Sequence, residues 1–168
     1  MVGVNPETGY FVGKSEFKDN SFQSEDCFPA AFGNYLLFRG FKREDAEHAI
    51  TLLQSVPGFD QELHQGVRAI RMALSELTSD YSLDIVLHYN HPEDVIDDYK
   101  GEMGEVDIQG LALPVIALSR IESGLNHAWV MTKKTPLEGI DVDGEKDTID
   151  YTIDGYYEIK GLERHLES

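Results

Sequence analysis

The sequence predicts an α+β domain in which an N-terminal helical half packs against a C-terminal, mostly antiparallel sheet. From residue 27 to residue 77 the apolar residues recur at helical spacing. From residue 111 onward they form short β-branched runs separated by turn signals. Helices and strands are segregated along the chain, unlike the alternation of a doubly wound fold. The chain is 168 residues long with no Pro/Ser-rich linker and no solenoid-period repeat, so a single domain spanning 1–168 is expected.

Each element has a local reason. The first twenty residues read as a strand-and-turn segment, with turns at Asn5-Pro6 and Thr8-Gly9 and a brief apolar stretch at Tyr10-Phe11-Val12. Cys27–Phe38 reads as a helix with Asp26 or Ser24 as cap, Pro29 in its first turn and Gly40 as its stop. Its apolar residues cover most of the circumference, the mark of a core helix. Lys42–Gln54 places Ala46, Ala49, Ile50 and Leu53 on one face, and Asp60–Leu77 does the same with Leu63, Val67, Ile70, Leu74 and Leu77. Leu83–Tyr89 reads as a strand and His91–Glu102 as a short acidic helix. Leu111–Leu118, Ala128–Thr132, Ile140–Val142, Ile149–Ile153 and Tyr156–Ile159 are expected strands, with turns at Asp143-Gly144 and Asp154-Gly155.

Composition narrows the function. Fourteen Lys+Arg against 31 Asp+Glu leave a formal charge of −17, which repels phosphates and anionic headgroups. A nucleic-acid or membrane partner is therefore not expected, whereas a basic protein partner would suit the charge. The longest apolar runs fall far short of the ~20 residues of a membrane span, and the first residues lack a signal-peptide pattern. A cytoplasmic protein is expected. The single cysteine excludes an intramolecular disulfide and a multi-cysteine zinc site. No motif calls for a cofactor. His88 and His91 have a spacing a metal could use, but no third ligand is evident. The acidic stretch from Glu93 to Asp107 lacks the ligand pattern of a calcium loop and reads as a solvated face.

Cys27 opens the first helix. A helix N-terminus carries about half a positive charge and favours thiolate over thiol, and its unpaired N–H groups can receive an oxyanion. The bland alternative is a small buried hydrophobe. A nucleophilic cysteine needs a base. Of the six histidines, His48, His64, His88, His91 and His165 sit in charged helices, at a turn or in the tail. His127 instead starts the strand Asn126-His127-Ala128-Trp129-Val130-Met131, where an imidazole can face the thiol and exchange a proton with it.

Two islands, Gln23…Asp26-Cys27-Phe28-Pro29-Ala30-Ala31 and Leu113-Pro114-Val115-Ile116-Ala117-Leu118…His127-Ala128-Trp129-Val130, together resemble the papain-like cysteine peptidases. The closest resemblance is to the bacteriocin-leader-processing branch, and it covers about 25 positions. It implies a papain-like fold with a cleft between helices and sheet, and a thiol-dependent acyl hydrolase acting on a peptide or small amide. Cys27 would be nucleophile and His127 base, with an Asp or Asn after the following strand orienting the imidazole. Asp143 is the first choice for that acid, with Asp154 and Asp141 as alternatives. Gln23 is the candidate oxyanion donor, although it precedes Cys27 by four residues where the family shows six. Phe28 stands where the family has a small residue, a change expected to narrow the cleft. Trp129, on the same strand face as His127, is expected to shield the pair. The rival reading is a catalytically idle binding module on the same scaffold, its acidic surface engaging a basic protein.

Overall fold

The computed structural model describes residues 2–13, 26–59, 63–89, 106, 108–120 and 126–165. Strands β1 (Gly3–Val4) and β2 (Phe11–Val12) form an N-terminal hairpin. Three helices follow: α1 (Cys27–Arg39), α2 (Arg43–Gln54) and α3 (Leu63–Thr78). Then come β3 (Asp84–Tyr89), β4 (Val115–Arg120), β5 (Asn126–Lys133), β6 (Glu138–Ile140), β7 (Lys146–Thr148) and β8 (Gly155–Lys160), before a short 3₁₀ turn at Leu162–His165. The six later strands make one sheet in the order β3-β8-β4-β5-β6-β7, antiparallel at every pairing. The α+β arrangement read from the sequence is the one observed. Among the described residues no helix is long and apolar enough to cross a membrane.

The core lies between the helices and one face of the sheet. Every residue of α1 from Phe28 to Leu36 is buried, as its all-round apolar surface requires. Phe32 and Leu36 are fully enclosed, and removing each from water stabilises the fold by roughly 1.5–3 kcal/mol. Ile116, Leu118, Ala128, Val130 and Tyr157 meet the helices from the sheet. The alternate residues Val115, Ala117, Trp129, Met131 and Tyr156 form a second cluster on the opposite face, covered by Ile108, Leu111, Leu113, Tyr151 and Ile153. Both faces of the central strands β4 and β5 are therefore covered.

The N-terminal hairpin ties the two halves together. The Asn34 amide of α1 acts as a missing strand, accepting from the Phe11 N–H at 2.6 Å and donating to its carbonyl at 3.0 Å. From the other side, Asn5 Nδ2 donates to the Asp143 carbonyl at 3.0 Å, Thr8 Oγ1 to that of Gly144 at 2.6 Å, and the Gly13 N–H to that of Val142 at 2.9 Å. The hairpin packs this closely because Gly33 of α1 has no side chain. A Cβ there would stand 2.6 Å from both Ile50 Cδ1 and the Phe11 ring.

Several expectations are corrected. Asp26 occupies the N-cap of α1 but makes no capping bond with its side chain, and Ser24 lies outside the described residues. The strand expected over Leu111–Leu118 begins only at Val115, because Pro114 has no N–H to give a ladder. Ile140–Val142 is the tail of an earlier strand, β6, which ends at Ile140. Ile149–Ile153 is not a strand. Its backbone crosses the outer face of the sheet, and the strand falls before it, at β7. Asp143-Gly144 is a turn, with Gly144 at φ +76°, but Asp154-Gly155 leads straight into β8. The acidic helix expected at His91–Glu102 lies outside the described residues, as does Asp60.

Candidate active site

Cys27 is the first residue of α1, is in no disulfide and is half-buried. The helical ladder starts with the Ala30 N–H bonding the Asp26 carbonyl at 3.0 Å. The N–H groups of Cys27 and Phe28 precede that bond and have no acceptor within the helix, and Pro29 has none to place. Phe28 does not narrow a cleft as expected. It is 8% exposed, and its ring stacks on Tyr157 at 5.5 Å and on Phe59 at 6.5 Å. It anchors the first turn of the cysteine helix to the core.

His127 is the second residue of β5, paired with Ser119 of β4, and only 2% of it is exposed. Its Nε2 lies 2.6 Å from Asp141 Oδ1, and Cys27 is the other side chain near enough to the imidazole to act on its basicity. With Nε2 engaged by the carboxylate, Nδ1 is the nitrogen left for the sulfur. Burial alone would make the ring less basic. The Asp141 hydrogen bond and charge, with a further contribution from Cys27, outweigh it and push the pKa up to about 9.

Asp141 follows β6 directly and opens the tight turn closed by the Gly144 N–H on the Asp141 carbonyl at 2.9 Å. Its carboxylate accepts three bonds: His127 Nε2 and the Val142 N–H (2.7 Å) on Oδ1, and the Tyr151 hydroxyl (2.7 Å) on Oδ2. Burial opposes ionisation, but the imidazole, the hydroxyl and the backbone donor prevail and hold Asp141 below the usual carboxylate range.

The acid at the imidazole is thus Asp141, not the first choice Asp143. Asp143 Oδ1 instead accepts the Glu145 N–H at 3.0 Å within the turn. Asp154 precedes β8, its N–H bonded to the Leu118 carbonyl at 2.9 Å. Gln23 lies outside the described residues, as does His91. His88 stacks on Tyr156 at 4.5 Å and bonds Glu158 at 3.0 Å. Among the described residues no group of three or more His, Cys, Asp or Glu is placed to hold a metal ion.

The aromatic ring that meets the imidazole is that of Tyr151. Trp129 is fully buried and donates Nε1–H to Ser119 Oγ at 2.9 Å. Tyr151 sets its ring edge-on to His127 at 5.3 Å and to Trp129 at 5.9 Å while its hydroxyl holds Asp141. Sequence reading missed Tyr151, because it sat in an expected strand and carries no motif. Chemically, the row places a thiol, a proton carrier and a fixed carboxylate in line beside the first turn of a helix. Compared with known protein families, curated proteins and solved structures, the chain matches none of them.

Proposed function

We propose that the chain is a thiol-dependent acyl hydrolase, a peptidase or amidase of papain-like type. The observation that carries the reading is the His127 imidazole, held by Asp141 at 2.6 Å and raised in basicity by both Asp141 and Cys27. The order of Cys27 and His127, the helix-start cysteine and the strand-start histidine also fit the papain-like resemblance.

In the proposed reaction the Cys27 thiolate forms a bond to a carbonyl carbon, and the carbonyl electrons move onto oxygen, which meets the N–H groups of the first turn of α1. As the oxyanion collapses, the carbon–nitrogen bond breaks and the His127 imidazolium protonates the leaving amine. Water then attacks the thioester, giving one proton to His127, and the carboxylic acid and thiolate separate. An amine in place of water would make the same chain an acyltransferase. Asp141 holds the Nε2–H tautomer and stabilises the imidazolium.

Alkylation of Cys27 by iodoacetamide tests this, and as the sole cysteine it gives an unambiguous product. At pH 6 an ordinary thiol of pKa ~8.5 is almost wholly protonated, so a thiol with no ion-pair partner reacts slowly. The expected result is alkylation at pH 6 about 10²-fold faster than that of a free thiol, and loss of that excess in His127→Ala. A rate no faster than a free thiol's, unchanged by the histidine substitution, would remove the hydrolase and favour the idle binding module with a basic protein partner.

A further inference from the structure

We propose that Tyr151 is a positioning residue for the Cys27–His127–Asp141 row, its hydroxyl fixing the Asp141 carboxylate while its ring closes the imidazole against water. The inference rests on the hydrolase reading and adds a residue to it.

Three observations converge on one side chain. The hydroxyl takes Oδ2 of Asp141 at 2.7 Å, the oxygen that His127 does not use. The carboxylate is then held at both ends, since Oδ1 also accepts the Val142 N–H. A carboxylate fixed at both oxygens cannot turn away from Nε2, so the imidazole stays aimed at the sulfur. The ring centroid stands 5.3 Å from that of the imidazole, the two planes at 77°, and the ring leans on the fully buried Trp129, which is itself pinned to Ser119. The segment 149–153 crosses the outer face of the sheet as coil, so Tyr151 is free of strand pairing and can reach both groups.

The groups that face His127 are Cys27 from α1, Asp141 from the turn after β6 and Tyr151 from the segment before β8; Asp143 and Asp150 act on Tyr151 through their charge. Burial, with the Asp141 bond and charge, raises the Tyr151 hydroxyl above the ordinary tyrosine range. It therefore remains a proton donor to the carboxylate throughout the pH range in which the imidazole titrates.

The test uses the full chain with Tyr151→Phe, Tyr151→Ala and His127→Ala. Two quantities are read: the rate of Cys27 alkylation by iodoacetamide at pH 6, and the His127 titration midpoint by ¹⁵N-histidine NMR. Tyr151→Phe removes only the hydroxyl and is expected to slow alkylation about 3- to 10-fold, the worth of one hydrogen bond. It is also expected to lower the midpoint from about 9 partway toward the ordinary ~6.5. Tyr151→Ala is expected to move both further. A purely structural tyrosine would lower the melting temperature and leave both readouts in place. Rates within about twofold of wild type in the Phe variant, or a midpoint that rises, would overturn the assignment while a slow His127→Ala left the hydrolase reading standing. A His127→Ala protein as reactive as wild type would remove both. If the Ala variant fails to fold, the Phe variant decides alone.

Discussion

Nε2 of His127 stands 2.6 Å from Oδ1 of Asp141, although the strand register would have favoured another acid. In the β5–β6 ladder Val130 faces Ile140 and Met131 faces Gly139. Continued without a break, that register would set residue 143 opposite His127. The ladder stops at Ile140, and the turn closed on Gly144 carries Asp143 away. Asp141, the first residue past the strand, then reaches the imidazole diagonally.

Asp141→Asn is accordingly expected to lower Cys27 alkylation by iodoacetamide at pH 7.5 at least about tenfold, since the imidazolium loses its charged partner. Asp143→Asn, whose side chain bonds the turn backbone and acts on Tyr151 only through its charge, is expected to stay within about twofold of wild type. Equal losses in the two variants would refute the assignment of Asp141.

The raised basicity of His127 gives a pH signature. With the pKa near 9 the ring is cationic at neutral pH and becomes neutral as pH climbs through about 9. An anionic reagent gains from a cation beside the sulfur and a neutral one does not. The ratio of iodoacetate to iodoacetamide rates is therefore expected to be constant around pH 7 and to fall through about pH 9. In Asp141→Asn the fall is expected at lower pH. A ratio that declines near pH 6.5 in wild type would show that the imidazole has no stabilising partners.

Asn34→Ala is expected to cost about 2–5 kcal/mol in urea unfolding, because the N–H and carbonyl of Phe11 both lose a buried partner. Reactivity is expected to fall as well. The hairpin that Asn34 holds is the one that grips the Asp143, Gly144 and Val142 carbonyls beside Asp141. Full reactivity in a destabilised Asn34→Ala protein would show that the hairpin supports only the fold.

Gly33→Ala is expected to destabilise by about 1–3 kcal/mol through overpacking against Ile50 and Phe11. Thermal unfolding measures it. A rise in melting temperature would mean that α1, α2 and β2 separate more easily than their packing implies.

Much of the fold was legible because it is written locally. The all-round apolar stretch after Cys27 specifies a buried helix wherever it packs, and Gly40 ends it at φ +103°. The face of Ala46, Ala49, Ile50 and Leu53 follows from a 3.6-residue period alone. The segment 149–153 misled because Ile149, Tyr151 and Ile153 alternate like a strand, yet they cover the outer face of one already formed. Alternation reports which side is dry, not which backbone is paired.

The residue sequence by itself determined the order of helices and sheet, the cysteine at the mouth of α1 and the histidine at the head of β5. Each depends on neighbours only a few positions away. Folding alone decided which carboxylate meets the imidazole, that Phe28 turns into the core, and that Tyr151 lies across the row. Those outcomes depend on where one ladder stops and on what a distant segment covers. A shift of a single residue in register sends a side chain to the other face of the sheet, and no local pattern among the ten acids from Glu138 to Glu167 records it.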